Sequence, residues 1–516
     1  MAVLEILVPV LYALAMLVLL VYALNLYWLS VRFVDIDRTR PGSIPDIDAL
    51  PAHSGAWPRV TVQLPVYNEA VVVERLIDAC ARFDYPQKQL EIQVLDDSTD
   101  ITCELAETRV EYWRKRGVDI LHVRRSERTG YKAGALGNGL RFARGDFIAI
   151  FDADFVPEPD FLRRTLPMFD SPDIGLVQAR WTHLNETDSL LTRVQAFGLD
   201  THFALEQQVR HSAGYFMNFN GTAGVWRREC IEEAGGWNAD TLTEDLDLSY
   251  RAQLAGWRLR YLQDVEVAAE LPAIANAFRS QQFRWAKGSI QTAMRQLPAL
   301  WRSSEQAAIK LEGTVHLTAH MVFPFVLLAG LLHAPLVALK AAGRGPGEVY
   351  FALLGLGLVG LAGFFLAQLY AQRSLYHDWV SRLRLFPSFM AGSMGMSINN
   401  TRAVWQALRG RTTPFVRTPK FSTMQPSSRH GKPEYADRRL PGIVWMEVAA
   451  LLYCVAGIVV VVAVAQWAAL PFQILLASGF GLVVWFSVRD RLMPLHGSPH
   501  VKQVDEMNRT KYLAPV

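Results

Sequence analysis

Cysteine is scarce and scattered: Cys80, Cys103, Cys230 and Cys454 are the only four in 516 residues. They form no CxxC pair and no regular spacing, which argues against structural zinc and a disulfide framework. Reduced thiols suit a catalytic region facing the cytoplasm. Charge of one sign is lacking as well, since 52 Lys and Arg stand against 49 Asp and Glu, for a net +3. With no basic cluster interleaved with aromatics, nothing points to nucleic acid. There are no internal repeats and no low-complexity tract. The first apolar run has neither a basic leader nor a small-residue cleavage site, so it reads as a retained helix rather than a signal peptide.

Hydrophobic residues make up 51% of the chain, and they are unevenly spread. Residues 3–29 are almost wholly apolar and long enough to span a bilayer, which takes about 20 residues. Arg32, Arg38 and Arg40 follow, placing that end inside. Further candidate spans are residues 314–339, 349–370, 443–467 and 471–488. Residues 385–408 are amphiphilic, carrying Ser397, Asn399, Asn400 and Arg402, and basic residues flank them on both sides. This segment reads as interfacial or re-entrant rather than spanning. The resulting expectation is five crossings, with the N-terminus outside and the C-terminus inside. It makes the chain a multi-pass protein of the plasma (inner) membrane with its catalytic domain cytoplasmic. Nothing in the sequence sets an oligomeric state.

Between the first two spans lies an α/β pattern. Short β-branched runs at 59–64, 90–95, 147–151 and 175–179 alternate with helical stretches such as 69–82 and 99–116, which predicts βαβ units and a mostly parallel sheet. Ligands bind such sheets beyond the C-terminal strand ends. The predicted organisation is an N-terminal transmembrane helix at 1–34 and a catalytic domain at 55–272. Amphipathic interface helices follow at 273–310, then a transmembrane bundle at 311–488 with a loop at 412–425, and a cytoplasmic tail at 489–516.

Acidic motifs fall at two of those strand ends. Asp152 and Asp154 form a DxD after 147–151. Two carboxylates one residue apart suit a hard cation such as Mg²⁺ or Mn²⁺, with a diphosphate supplying further oxygens. A turn and helix cap is the plainer reading of the pair, and the strand before it and Pro157 and Pro159 after it favour a site. Asp96 and Asp97 end the strand at 90–95, where capping of the next helix by Ser98 or Thr99 is also expected but does not account for two adjacent aspartates. Thr243, Glu244 and Asp245 precede a helical stretch at 246–254. Acids are favoured at a helix start in any case, yet Asp245 is the best candidate for a general base acting on an acceptor hydroxyl. Gln281, Arg284 and Trp285 lie at i, i+3 and i+4 of a helix predicted over 274–294 and share one face. That face suits a diphosphate and a sugar ring. Arg279, Lys287 and Arg295 on the same helix suit lipid headgroups. His316 and His320, four apart in a span, read as polar groups facing a watery path more readily than as a metal pair.

Together these motifs resemble the processive glycosyltransferase family 2 synthases of the cellulose synthase superfamily. The likeness is greatest to the cellulose-synthase-like A and C groups, which make β-mannan, glucomannan and β-1,4-glucan backbones. It is carried by QLPVYNE (63–69), QVLDDSTD (93–100), GYKAGAL (130–136), FDADFVPEPDF (151–161), VQARW (177–181), FNGTAGVW (219–226), TEDLDL (243–248) and QQFRW (281–285). The resemblance implies a Rossmann-like glycosyltransferase-A domain set between transmembrane helices. It implies that Tyr67, Glu69, Asp96, Asp97 and Lys132 hold a nucleotide-sugar, GDP-mannose or UDP-glucose, with Asp152, Gln281, Arg284 and Trp285. Asp152 and Asp154 would serve the metal, and Asp245 would be the base within the Thr243-Glu244-Asp245 motif. Phe219, Asn220, Gly221, Thr222 and Trp285 would meet the acceptor, a growing β-linked polysaccharide that the chain also passes through the bilayer. Phe415, Thr418 and Lys420 are similar to a gating loop, with Arg417 where that pattern has Val. The other reading is a non-processive transferase that adds one sugar to a lipid acceptor.

Overall fold

The computed structural model describes residues 2–39, 57–355, 357–413, 420 and 440–492. Seven strands form one sheet: β1 (Val60–Val66), β2 (Leu90–Asp96), β3 (Ile120–Arg124), β4 (Phe147–Ile150), β5 (Ile174–His183), β6 (Gly224–Arg227) and β7 (Arg258–Ala269). Their order is β3-β2-β1-β4-β6-β5-β7. β1, β2, β3 and β4 pair in parallel, as do β5 and β7, and only β6 runs against its neighbours. The expected mostly parallel sheet is therefore present.

Helices cover both faces, so the central strands are buried along their whole length and read as nearly continuous apolar runs. The polar residues within them are matched across the ladder. Thr61 donates to Glu91 at 2.6 Å, and Arg144 reaches the other oxygen of Glu91 at 2.9 Å. A buried carboxylate is tolerable only with such partners. The first predicted helix starts later than expected, at Val73 rather than residue 69. Asn68 takes a left-handed φ of 55°. Its backbone N–H donates to Ser98 Oγ and its Oδ1 accepts from the Thr99 N–H, both at 2.8 Å. This lashing of two strand-end loops also explains why neither Ser98 nor Thr99 caps the next helix; Asp100 Oδ1 accepts from the Thr102 N–H instead.

Among the described residues, five helical segments are long and apolar enough to cross a membrane: Val3–Ile36, Ala307–Ala341, Glu348–Leu375, Gly442–Ala463 and Trp467–Leu492. Four of them contain a predicted span whole; the remaining one, Gly442–Ala463, stops short of the predicted end at residue 467, where the next segment starts. The amphiphilic stretch forms two short helices, Phe386–Gly395 and Ser397–Leu408. A Cβ on Gly395 would lie 2.2 Å from the Gly479 carbonyl oxygen, so glycine permits that helix to touch the last span. The second short helix packs on the long helix Ala275–Arg302, where Asn399 donates to the Arg279 carbonyl at 3.1 Å.

The long helix corrects one expectation. Arg279 and Lys287 do not face headgroups; both are buried. Arg279 makes a two-pronged contact with Glu447 at 3.0 and 2.6 Å and reaches Ser487 at 2.6 Å, tying the helix to the last two spans. Lys287 donates to Thr413 at 2.9 Å. Arg295 does stay partly exposed, paired with Asp240.

Removing one partner of a buried ion pair leaves the other charge stranded. Arg279→Met should therefore lower stability by about 3–5 kcal/mol. Thermal unfolding in detergent checks this, and the double change with Glu447→Leu should recover most of the loss.

Candidate active site

The parallel strands end on one edge of the sheet, and their following loops supply one wall of a cleft of about 210 Å³. Tyr67 and Glu69 follow β1, Asp97 follows β2, and Asp152 and Asp154 follow β4. The opposite wall comes from the start of the helix Glu244–Leu254 and from Gln281, Arg284 and Trp285 on the long helix. Motifs more than two hundred residues apart in the chain thus face one space.

Close approach of the two walls depends on glycine. Gly288 lets the long helix meet Thr243, since a Cβ there would lie 2.5 Å from the threonine side chain. Around that contact, Gln291 accepts from the Leu242 N–H at 3.1 Å and Gln296 donates to Asp247 at 2.7 Å. Gly221 takes φ of 84°, and a Cβ there would lie 2.8 Å from Asp245 Oδ2. The Gly221 turn is therefore pressed against Asp245. Its own position is set by Gln178, whose Oε1 accepts from the Asn220 N–H and whose Nε2 donates to the Thr222 carbonyl.

Lys132 is the positive centre of the cleft. Its Nζ lies 2.5 Å from Asp152 Oδ1, 2.8 Å from the Gly221 carbonyl and 3.9 Å from Glu244. Burial opposes its charge, but Asp152, Glu244 and Asp245 outweigh burial and hold its pKa above the ordinary lysine value. Asp154 accepts from Lys420 at 2.6 Å. Both DxD carboxylates thus already draw a cation, and both face the cleft. Asp245 stands apart. Burial first, and then the neighbouring Glu244 carboxylate, push its pKa up to about 7. Glu244 is raised by the same burial.

Some expected residues lie off the cleft. Asp96 is buried beneath it, where it accepts from the Ser98 N–H at 2.8 Å and contacts His122 at 2.9 Å. Burial alone would raise its pKa, yet these bonds bring it down to about 2. Phe219 is fully buried against Trp226. Thr222 is also buried, and its Oγ1 accepts from the Asp152 N–H at 2.9 Å. These three shape the loops rather than line the space. Phe415 and Thr418 lie outside the described residues, whereas Lys420 lines the cleft.

Two arginines went unread in the sequence. Arg125 clasps Asp97 with 2.9 and 2.5 Å bonds, and Arg128 stacks over Tyr67 at 3.4 Å. Their signal was the arginine run before GYKAGAL, which resembles any solvated charge run.

A second cavity of about 400 Å³ shares Trp181, Asn220, Thr243, Asp245, Gln281 and Trp285 with the first. It extends between apolar helices toward Phe323, Phe389 and Phe486, and His316 and His320 line it. His316 Nδ1 sits 2.9 Å from the Tyr250 hydroxyl. Among the described residues no group of three or more His, Cys, Asp or Glu side chains gathers as a metal site.

Residues 58–288 match the family described as "Glycosyltransferase like family 2". The chain is 42% identical over 300 residues to glucomannan 4-β-mannosyltransferase 1 of Oryza sativa subsp. japonica, covering 57% of this chain and 56% of that protein. It is 47% identical over 246 residues to glucomannan 4-β-mannosyltransferase 7 of Arabidopsis thaliana, covering 47% of this chain and 44% of the relative. The chain thus spans about half the length of these curated relatives. Its fold is similar to that of the mannosyltransferase PcManGT from Pyrobaculum calidifontis, solved in complex with GDP-Man and Mn²⁺. That match has a TM-score of 0.53 at 22% identity, covering 78% of this chain and 99% of the other. Residues 58–288, flanked by apolar helices, thus match glycosyltransferase-like family 2 and are similar to part of the plant glucomannan 4-β-mannosyltransferases.

Proposed function

We propose that the chain is a membrane-bound, inverting hexosyltransferase that moves mannose from GDP-mannose to the end of a β-1,4-linked polysaccharide and passes the product through its own helices. The single observation carrying this reading is the position of Asp245. It lies where the two cavities meet, with the anionic and cationic groups of the cleft on one side and the membrane-helix cavity on the other. Mannose as the transferred sugar follows the names of the relatives; UDP-glucose is the other donor to be tested. The basic residues around the spans support a cytoplasmic cleft and a plasma (inner) membrane setting.

In this mechanism the acceptor hydroxyl gives its proton to Asp245 as its oxygen attacks the anomeric carbon. The bond to the nucleotide diphosphate breaks on the opposite face, so the α-linked donor yields a β-linked product without a covalent enzyme intermediate. Lys132 and Arg284 line the cleft beside Asp152 and bear on the leaving diphosphate. Tyr67, Glu69 and Asp97 form the nucleotide end, Trp285 offers a ring to the acceptor sugar, and Asn220 and Gly221 border it. Asp152 and Asp154 are hard oxygen donors suited to Mg²⁺ or Mn²⁺. Such an ion supplies charge neutralisation of the diphosphate. The second cavity is the path we assign to the growing chain.

Three outcomes are expected. Asp245→Asn keeps its size but cannot take a proton, so turnover should fall by roughly 10²–10⁴-fold while nucleotide binding by calorimetry stays near normal. Near-normal turnover, or an α-linked product from the wild type, contradicts the mechanism. Because Asp245 acts ionised and titrates at about 7, kcat/KM for acceptor should rise with pH through that value, not near pH 4. This acid limb should vanish from the residual activity of Asp245→Asn. Chelation with EDTA should abolish transfer and Mn²⁺ or Mg²⁺ should restore it, and Asp152→Asn should lose cation-dependent nucleotide binding. Products sized by electrophoresis separate long polymer from a single sugar on lipid.

A further inference from the structure

The helix Leu190–Thr201 does not end where its hydrogen bonding changes; it widens into a π-helical segment, His202–Gln207. Such wide turns are rare and often occur at functional sites. Here the segment presents His202 and Glu206 to the second cavity, with Arg210 beyond them. His202 Nε2 lies 2.9 Å from Asn220 Oδ1, and the same oxygen accepts from Asn218 Nδ2 at 2.9 Å. An amide oxygen can only accept, so His202 carries its proton on Nε2. The other ring nitrogen lies 3.5 Å from Glu206, which also meets Arg210 at 3.2 Å. Arg210 in turn donates to Glu312 at 3.0 Å, near the start of the apolar segment Ala307–Ala341. Burial opposes charge on Glu206, but Arg210 and His202 overcome it and bring its pKa down to about 2.

With its oxygen doubly engaged, the Asn220 amide has one orientation. Its Nδ2 is buried, has no partner among the described residues, and belongs to a residue lining both cavities beside Asp245. Asn218 Oδ1 is likewise buried and without a partner, on a residue lining the second cavity. A buried donor and a buried acceptor left open together are costly unless something completes them. A sugar hydroxyl, which both donates and accepts, fits that pair.

We propose that His202 is a positioning residue for the acceptor and that Asn218 is a binding residue beside it: together they fix the Asn220 amide so that its open N–H, with the Asn218 side-chain oxygen, takes a ring hydroxyl of the terminal acceptor sugar. This rests on the transfer proposed above. Gly221 ties the two functions together, because the turn that carries Asn220 is the one pressed against Asp245.

The test uses the full-length enzyme in detergent, with GDP-mannose and a β-1,4-manno-oligosaccharide, and measures KM for each substrate separately. His202→Phe keeps a ring and loses the donor. It should raise the acceptor KM about tenfold, the cost of one misdirected buried hydrogen bond, while the donor KM and GDP binding stay within about twofold. His202→Gln can still donate to Asn220 and should recover most of the acceptor KM. Asn218→Leu, which removes the second donor from outside the π-helical segment, should reproduce the acceptor-selective defect and serves if His202→Phe fails to fold. An unchanged acceptor KM in both variants, equal loss on donor and acceptor sides, or a Gln variant no better than Phe would overturn the proposal. Absence of any transfer by the wild type with either GDP-mannose or UDP-glucose would instead overturn the proposed function.

Discussion

Seven carboxylates among the described residues converge on one cleft, and most of the surrounding structure exists to keep them there. Glu69, Asp97, Asp152, Asp154, Glu244, Asp245 and Glu270 all line it, the last paired with Arg75 at 2.9 Å. Like charges this close would drive the walls apart or take up protons. They are held by cations placed among them: Arg125 on Asp97, Lys132 between Asp152 and Glu244, and Lys420 on Asp154. Each cation reaches its place because an element is fixed elsewhere. Lys132 is in the first turn of the helix Tyr131–Leu140, behind the strand-end loops that Asn68, Ser98 and Thr99 lash together. The charge balance and the loop geometry are therefore one constraint.

The long helix Ala275–Arg302 transmits that constraint to the membrane region. Its cleft end carries Gln281, Arg284 and Trp285. Its contact with the Thr243 loop runs through Gly288, Gln291, Thr292 and Gln296, and its outer side is pinned by Arg279 to Glu447 and Ser487. A shift of the apolar helices would thus be felt at the wall that carries Asp245. The second route between the two regions is the His202–Glu206–Arg210–Glu312 chain, which reaches the opposite side of the same cavity.

The sequence revealed what has a local signature. Alternating strand and helix patterns located β1, β2, β4 and half of β5, and acids at strand ends marked the cleft. Long apolar runs marked the five spans. What escaped it was pairing at a distance. Arg279 and Lys287 look like surface cations on an amphipathic helix, and only Glu447 and Thr413, far along the chain, show that they turn inward. Asp96 and Asp97 are indistinguishable by composition, yet the alternation of the strand buries the first under the loops and aims the second at the cleft. Phe219 and Thr222 sit in the right motif but support it from beneath. The short β6, whose reversed direction closes the sheet around the Gly221 turn, carries too few residues to declare itself. Nothing in HFALEQ signals a π-helical turn.

The pKa of Asp245 draws these strands together. A carboxylate with an ordinary pKa near 4 is a feeble proton acceptor for a sugar hydroxyl, and one raised far above 7 would stay protonated in the cell. Its value of about 7 is a balance: burial and Glu244 push it up, while Lys132 and the Leu246 N–H at the helix start pull it down. In the proposed reaction an arriving diphosphate would add negative charge to the same space and, unopposed, would leave Asp245 protonated just when it is needed as base. Positive charge beside Asp152 and Asp154 therefore serves two ends in the proposed reaction, holding the leaving group and keeping Asp245 ready to accept a proton. In the proposed reaction, the clustering that makes the cleft costly to assemble is thus what sets Asp245 at a useful strength as base, and Lys132, which touches both the DxD motif and the Gly221 turn, is the residue through which the two are coupled.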